Sequence, residues 1–252
     1  MLTVLARPTS DLSVLPRGVE VRFGALEDAK LPLDGIASVV YCASMGFGHI
    51  PSVVRQLESA GVQRAVFVST TAIFTSLASR SRALRLEAEA AVSNSELEWT
   101  ILRPTMIYGT SRDRNISRLL RYLARWPVFP LCGNALWQPI YVTDLADALV
   151  AALESPRTVG QSYNLSGECP LRFADLVRTA AGSLGRRVML VSVPVSAAVL
   201  AARVTRVVTA EQIGRLAEDK VFDYAAASRD FGFRTRSFAE GVRLEARELG
   251  LV

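Results

Sequence analysis

The sequence predicts an α/β protein built around a doubly wound parallel β-sheet. Apolar segments of strand length alternate along the chain with segments whose apolar residues recur at the helical period. The strand-like segments are rich in Val, Ile and Leu, which is typical of strands covered by helices on both faces. They occupy residues 2–6, 19–23, 38–42, 65–69 and 99–103, and the last three are expected to be adjacent, parallel and central.

Helical crossovers are predicted over residues 51–60 and 80–92. Pro51 lies in a helix-opening position, and Gly61 lies just past the end of the same helix. After about Thr110 the pattern becomes mixed, and prolines punctuate short elements. The sequence therefore predicts a core over residues 1–109 and a segment over residues 110–252 that completes the sheet and forms a small lobe.

Composition and cysteine usage narrow the class of protein. Half of the 252 residues are hydrophobic and 21% are charged, which excludes disordered, collagen-like and disulfide-scaffold chains. Cys42, Cys132 and Cys169 are widely separated and have no C-x-x-C spacing, so neither a disulfide framework nor a metal site is expected. A reducing, cytoplasmic location is the corresponding expectation.

No signal peptide or membrane-spanning segment is predicted. Residues 1–7 lack the charged start and long apolar run of a signal peptide, and they are interpreted as a strand. The most apolar stretch, residues 188–208, is interrupted by Pro194, Arg203 and Arg206. The net charge of +5 comes mostly from dispersed arginines, so a nucleic-acid partner is not expected. The sequence leaves three kinds of partner possible: an anionic membrane, an acidic partner and further copies of the same chain in a homo-oligomer.

Six segments carry a family resemblance. Residues 2–10 and 36–44 are followed by AVFVSTT at 65–71, WTILRPTMIYG at 99–109, QPIYVTDLA at 138–146 and GQSYNLSG at 160–167. In their order and separations they resemble the extended, sugar-nucleotide epimerase/dehydratase branch of the short-chain dehydrogenase/reductase family. The resemblance implies a Rossmann-type sheet, here N-terminally truncated, with a C-terminal substrate lobe, NAD or NADP as cofactor, and a small-molecule substrate such as a sugar nucleotide.

The resemblance also implies the site residues, in three groups. The catalytic positions would be Ser69, Thr70, Ser81, Arg85 and Tyr108. Cofactor binding would involve Arg7, Ala43, Ser44, Ser69, Arg85 and Pro104. Substrate binding would involve His49, Thr71, Thr105, Arg112 and Arg114.

The sequence departs from the family pattern at two motifs. It lacks the G-x-x-G-x-x-G loop that would hold the cofactor pyrophosphate, as though it began one β-α unit late. The Gly46-x-Gly48 pair is interpreted either as a displaced anion site or as a plain turn. Ser81 and Arg85 stand where the family has its catalytic tyrosine and lysine. Because serine has no accessible ionisation and arginine stays protonated, hydride transfer coupled to proton transfer is not expected from these residues, and cofactor binding is expected to be weak or lost.

Other candidate residues have competing interpretations. His49 is either a general base or incidental, and Tyr108 and Tyr141 either replace the missing phenol or pack in the core. Asp144 and Asp147 have the spacing of a capping box.

Residues 113–125 predict an amphipathic helix. Its apolar face comprises Ile116, Leu119, Leu120 and Leu123, and its arginine face comprises Arg114, Arg118, Arg121 and Arg125. The arginine face is either solvated or directed to an anionic membrane, an acidic partner or a diphosphate reached by Arg112 and Arg114.

Two expectations follow for function and for the sheet. The activity is interpreted as that of an epimerase/dehydratase-like protein, with a catalytically reduced binding or assembly module and a non-redox enzyme as alternatives. The gap left by the absent first strand must close, since buried unpaired backbone groups cost about 1–3 kcal/mol each. Direct pairing of residues 2–6 with residues 38–42 is expected, and a strand supplied by another chain is the alternative.

Overall fold

The computed structural model describes residues 2–76, 80–194 and 218–252. The described strands are β1 (Thr3–Ala6), β2 (Glu20–Phe23), β3 (Ser38–Tyr41), β4 (Arg64–Val68), β5 (Glu98–Pro104), β6 (Ile107–Tyr108), β7 (Val128–Leu131), β8 (Leu136–Trp137), β9 (Ile140–Tyr141), β10 (Gln161–Leu165), β11 (Leu171–Arg172) and β12 (Met189–Ser192). The described α-helices are α1 (Ile50–Ser59), α2 (Arg80–Ser93), α3 (Ile116–Leu123), α4 (Val142–Glu154), α5 (Phe173–Ser183), α6 (Ala225–Phe231) and α7 (Phe238–Glu248).

A four-stranded parallel sheet forms the centre of the fold, in the order β10-β5-β4-β3. Strands β3 and β4 pair in parallel with Val39 opposite Ala65 and Val40 opposite Val66. Strand β4 is buried over most of its length, as its continuous apolar sequence predicts. The predicted adjacency and parallel direction of β3, β4 and β5 are confirmed, although β3 lies at an edge of this sheet and is not central.

Strand β1 does not close against β3, so the predicted direct closure is wrong. Strand β1 pairs in parallel with β2 in a separate two-stranded sheet, with Thr3 opposite Glu20 and Ala6 opposite Phe23. The prediction assumed that the free edge of β3 would be buried. Instead Val40 is 39% exposed and Ser38 is also exposed, so water can reach this strand and the full cost of an unpaired buried edge does not arise.

Two compact units can be distinguished, and each draws on both halves of the sequence. Among the described residues, unit 1 comprises 2–69, 80–101 and 159–161, and unit 2 comprises 70–76, 102–158, 162–194 and 218–252. The core of unit 1 contains the buried face of α1, which presents Ile50, Val53, Val54 and Leu57 to Phe67 and other apolar side chains.

Unit 2 has its own core, built from α3, α5 and α7. The buried residues of α3 include Ile116, Leu119, Leu120 and Leu123, which confirms the predicted apolar face. The arginines predicted for the opposite face, Arg114, Arg118, Arg121 and Arg125, are exposed.

The small sheets of unit 2 are two-stranded. Strands β6 and β9 pair in parallel, as do β7 and β12, whereas β8 and β11 are antiparallel. In the described ranges, no helix combines the length and the apolar character needed to cross a bilayer.

Candidate functional site

Unit 2 contains a pocket of about 350 Å³ whose lining combines hydroxyl, aromatic and charged side chains. The hydroxyl residues are Thr70, Thr71, Thr75 and Thr105; the aromatic residues are Phe74, Trp137 and Phe222; the charged residues are Glu218, Asp219 and Lys220. Three of the predicted site residues, Thr70, Thr71 and Thr105, are therefore brought together.

The threonines lie where strands end. Thr70 and Thr71 follow β4 and begin a 3₁₀ turn, and the Thr70 hydroxyl accepts a hydrogen bond of 3.2 Å from the Ala72 backbone N–H. The Thr71 hydroxyl donates to the Pro104 carbonyl at 3.3 Å, and the Thr105 hydroxyl donates to the Gln138 carbonyl at 2.5 Å. These bonds fix the side-chain rotamers and leave oxygen lone pairs that can accept a hydrogen bond from a ligand.

A charged segment at residues 218–220 completes the pocket. The Glu218 carboxylate accepts hydrogen bonds from the Thr75 hydroxyl at 2.7 Å and from the Ser76 backbone N–H at 2.8 Å. Partial burial acts to raise the pKa of Glu218, but these bonds and the nearby Lys220 charge together lower it below its ordinary value. Glu218 is therefore ionised at neutral pH.

Lys220 brings a cation and Trp137 an aromatic surface to the same pocket. The Lys220 ammonium lies 3.8 Å from the centre of the Trp137 ring. The backbone N–H of Lys220 donates to the Leu136 carbonyl at 2.7 Å, and the Leu136 N–H donates to the Asp219 carboxylate at 2.7 Å. Sequence reasoning missed Glu218 and Lys220, and their E-D-K cluster was the available signal.

The residues that replace the family's tyrosine and lysine lie in unit 1, on α2. The Arg85 guanidinium donates to the Ser81 hydroxyl. It also lies beside Gly46 in the 3₁₀ turn after β3, where a Cβ would be 3.4 Å from the Arg85 Cζ atom. The Ser44 hydroxyl caps this turn by accepting from the Gly46 N–H at 3.3 Å, and Ala43 precedes it. The Arg85 guanidinium therefore places a positive charge beside the glycine turn.

Ser69 is engaged within the core of unit 1. Its hydroxyl donates a hydrogen bond of 2.5 Å to the Glu89 carboxylate, and both side chains are buried. A hydroxyl held in this way is oriented by a structural partner.

Tyr108 is a core residue rather than part of the pocket lining. Its side chain is 1% exposed and packs edge-on against Tyr141, with ring centres 5.4 Å apart. Burial, followed by the negative charges of Asp144 and Glu245, raises the pKa of Tyr108 far above its ordinary value. A Cβ on Gly241 would lie 2.1 Å from its hydroxyl oxygen, so α7 covers the phenol. The structure does not place Tyr108 where it could exchange a proton with a ligand in this pocket.

The remaining predicted residues are dispersed. Arg7 is exposed after β1, and the Nε2 atom of His49, at the start of α1, lies 4.0 Å from the Glu27 carboxylate. Arg112 and Arg114 are exposed before α3 and do not line the pocket.

The capping interpretation of Asp144 is wrong. Helix α4 has no side-chain cap, and the Asp144 carboxylate instead accepts hydrogen bonds from the Arg236 side chain and backbone N–H at 2.7 and 2.8 Å. Asp144 therefore forms an ion pair with an arginine that lies 92 residues further along the chain, because its buried carboxylate needs a charged partner.

A family model described as NAD(P)H-binding matches residues 1–156 of the chain. The chain belongs to this NAD(P)H-binding family. It is similar to a nucleoside-diphosphate-sugar epimerase from Pseudomonas aeruginosa, with a TM-score of 0.79 and 19% identity over 99% of this chain and 90% of that one. It is also similar to UDP-glucuronic acid 4-epimerase from Bacillus cereus in complex with NAD, with a TM-score of 0.72 and 14% identity over 92% of this chain and 81% of that one. These likenesses confirm the predicted Rossmann-type α/β fold.

Similarity to curated relatives covers less of the chain. NADH dehydrogenase [ubiquinone] 1 alpha subcomplex subunit 9, mitochondrial, from Arabidopsis thaliana is 35% identical over 44% of this chain and 28% of its own length. UDP-glucose 4-epimerase from Vibrio cholerae is 26% identical over 42% of this chain and 33% of its own length. The matched part of this chain thus spans about a third or less of these relatives.

The turn at Gly46 in unit 1 could accept one phosphate group of a dinucleotide, because a positive charge lies next to a glycine. The Arg85 guanidinium stands beside Gly46, the residue type that lets a backbone approach a phosphate closely. Ser44, Gly46 and Arg85 would hold such a group.

Proposed function

We propose that this protein is a ligand-binding member of the NAD(P)H-binding family that uses the pocket of unit 2 for a sugar-nucleotide ligand and does not carry out the family's hydride chemistry. The observation that carries the proposal is the lining of this pocket, in which Thr70 and Thr105 stand with Trp137 and Lys220.

The pocket suits a ligand that has a polar ring and a single phosphate near Lys220, since the two carboxylates beside this lysine, Glu218 and Asp219, already accept hydrogen bonds from the protein. Aromatic side chains such as Phe74 and Phe222 offer apolar surfaces to a sugar or a base. Threonine oxygens supply hydrogen-bond acceptors for sugar hydroxyls, and Lys220 supplies a positive charge for a phosphate. The volume of about 350 Å³ accommodates part of a sugar nucleotide, such as its sugar and one phosphate.

The retained residues argue against proton-coupled redox catalysis. A bound nicotinamide supplies or accepts hydride. The accompanying proton needs a group that ionises near neutral pH, and in this chain Ser81 accepts from Arg85 while Ser69 donates to buried Glu89. The fully buried Tyr108 cannot take over this role. We therefore infer a binding function rather than a dehydrogenase or epimerase function.

An assembly role is the second candidate. It is supported by the 35% identity to a protein named as a subunit of NADH dehydrogenase. Binding of a ligand and docking into a larger complex are compatible, because a subunit needs a stable fold and a surface but no turnover. The active epimerase/dehydratase is the remaining alternative, supported by the similarity to UDP-glucose 4-epimerase.

The Lys220→Met variant tests the binding proposal. We expect its affinity for UDP-glucose to fall at least about tenfold, because a charge-assisted hydrogen bond contributes roughly 1.5–3 kcal/mol. Titration calorimetry on the wild-type chain and the variant measures this change. Lys30→Met is the matched control, since Lys30 is exposed in unit 1 and should leave the affinity unchanged. Equal affinity of Lys220→Met and wild type would contradict the proposed role of the pocket.

Nicotinamide cofactors are expected to bind this chain weakly, with dissociation constants of roughly 100 μM or higher, because it lacks the glycine loop that supplies several charge-assisted hydrogen bonds. Arg7, at the exit of β1, is expected to favour NADP through its 2′-phosphate. Titration of both cofactors into wild type and Arg7→Ala checks both expectations. Low-micromolar affinity would contradict the first, and an unchanged NADP-to-NAD ratio in the variant would contradict the second.

A further inference from the structure

The β7/β12 sheet of unit 2 has an apolar face that no core residue covers within the part of the chain that the structure describes. Its two strands pair in parallel with Val128 opposite Met189 and Pro130 opposite Val191, so these four residues share one face. Met189 is 61% exposed and Val191 is 44% exposed. The alternate residues Phe129, Val188 and Leu190 pack against the core of unit 2.

An exposed tryptophan precedes this sheet in the sequence. Trp126 lies two residues before β7 and is 59% exposed. An exposed tryptophan, a methionine and a valine on neighbouring segments are unusual together, because such side chains are generally buried or bound. We call Trp126, Val128, Pro130, Met189 and Val191 the outer face.

Arginines lie next to the strands of the outer face in the sequence, with few carboxylates among them. Arg178, Arg186 and Arg187 line a cavity of about 320 Å³ with Val188, immediately before β12, and exposed Arg125 directly precedes Trp126. Neither residues 116–131 nor residues 176–194 contain Asp or Glu. Arg178 forms an ion pair of 2.8 Å with Asp175 between two exposed side chains, and such exposed pairs are weak.

We propose that the outer face binds the surface of a bilayer that contains anionic phospholipids. Trp126, Met189 and Val191 enter the boundary between headgroups and acyl chains, and the guanidinium groups of Arg186 and Arg187 bind lipid phosphates. Exposed apolar side chains next to arginines match a membrane interface, where an apolar layer lies directly beneath a layer of negative phosphates. An acidic protein would be matched by the arginines alone, whereas the bilayer also accounts for the exposed apolar residues.

Co-sedimentation with vesicles tests this proposal. Wild type is mixed with phosphatidylcholine vesicles and with vesicles of phosphatidylcholine and phosphatidylglycerol at a ratio of about 3:1. We expect binding to the anionic vesicles at low salt, at least about tenfold weaker binding to the neutral vesicles, and partial release at high salt. Absence of binding to the anionic vesicles, as would be found for a face that binds an acidic protein, would overturn the proposal.

Matched variants separate this face from the net charge. Arg186→Glu with Arg187→Glu is expected to weaken vesicle binding at least about tenfold, and Arg17→Glu with Arg55→Glu, which changes the net charge equally in unit 1, by less than about twofold. Equal losses in the two double variants would overturn the assignment.

The apolar part of the face has its own test, which also serves if the double variant fails to fold. Trp126→Ala should weaken binding several-fold, whereas Phe47→Ala, an equally exposed aromatic in unit 1, should not. Equal effects of the two substitutions would overturn the role of the outer face. Inorganic phosphate added at constant ionic strength should not release the protein, and release would identify a site for free phosphate instead of lipid.

Discussion

Replacement of Asp144 by alanine is expected to lower the free energy of unfolding by about 2–3 kcal/mol, since it leaves the partly buried Arg236 guanidinium without its buried carboxylate partner. The Asp144 carboxylate is buried and accepts from the Arg236 guanidinium and backbone N–H, and from the Thr235 hydroxyl at 3.3 Å. The Arg236 guanidinium also lies 4.5 Å from the centre of the Tyr141 ring. The substitution therefore removes the acceptor that orders the segment leading into α7.

Urea unfolding of Asp144→Ala and Asp147→Ala measures the effect. Asp147 lies one turn further along α4 and is exposed, so its replacement should change the free energy of unfolding by less than about 0.5 kcal/mol. Similar small effects of both substitutions would show that the Asp144 pair does not hold α7 to the rest of unit 2.

The stability of the protein is expected to fall as the pH rises from about 5 to about 9, and the Glu245→Gln variant is expected to lose most of this dependence. Glu245 is fully buried on α7, and among the described residues neither of its carboxylate oxygens has a hydrogen bond of ordinary geometry. Burial, followed by the nearby Asp113 side chain and the Glu248 charge, raises the pKa of Glu245 to about 8.

Stability falls with rising pH because the folded and unfolded chains bind different numbers of protons at Glu245. Between its unfolded pKa of 4.5 and its folded pKa of about 8, Glu245 is protonated in the folded chain and ionised in the unfolded chain. The folded state then binds more protons, so stability falls through this range by on the order of 4 kcal/mol and is flat above it. Unfolding at pH 5, 7 and 9 measures the slope. Glu240→Gln, at an exposed position on the same helix, should keep the wild-type slope, and a Glu245→Gln slope equal to wild type would refute the assignment.

Much of the fold could be predicted because its signals are local. The apolar run of β4 and the four-residue apolar face of α3 each follow from a short stretch of sequence, and both are buried as expected. The closure of β1 on β3 could not be predicted correctly, because it depends on whether an edge is exposed to water. That exposure is a property of the assembled unit.

In the candidate site too, residues with a local sequence signal were predictable and residues placed by distant contacts were not. Thr70, Thr71 and Thr105 were predictable from their positions at strand ends, where parallel sheets place ligand-binding residues. Glu218 was not predictable, because its contact with Thr75 spans 143 residues and has no periodic signature. Tyr108 also follows a strand motif, but its burial is decided by Gly241 of α7, far along the chain.

We infer that the chain retains a ligand pocket and lacks the family's proton-coupled hydride chemistry. An NMR sample that contains the wild-type protein, UDP-glucose and NAD tests both parts together. We predict saturation transfer from the protein to UDP-glucose, with no epimerised or dehydrated sugar and no reduced cofactor accumulating over several hours. Conversion of UDP-glucose in this sample would contradict the loss of hydride chemistry, and the absence of saturation transfer to it would contradict the ligand pocket.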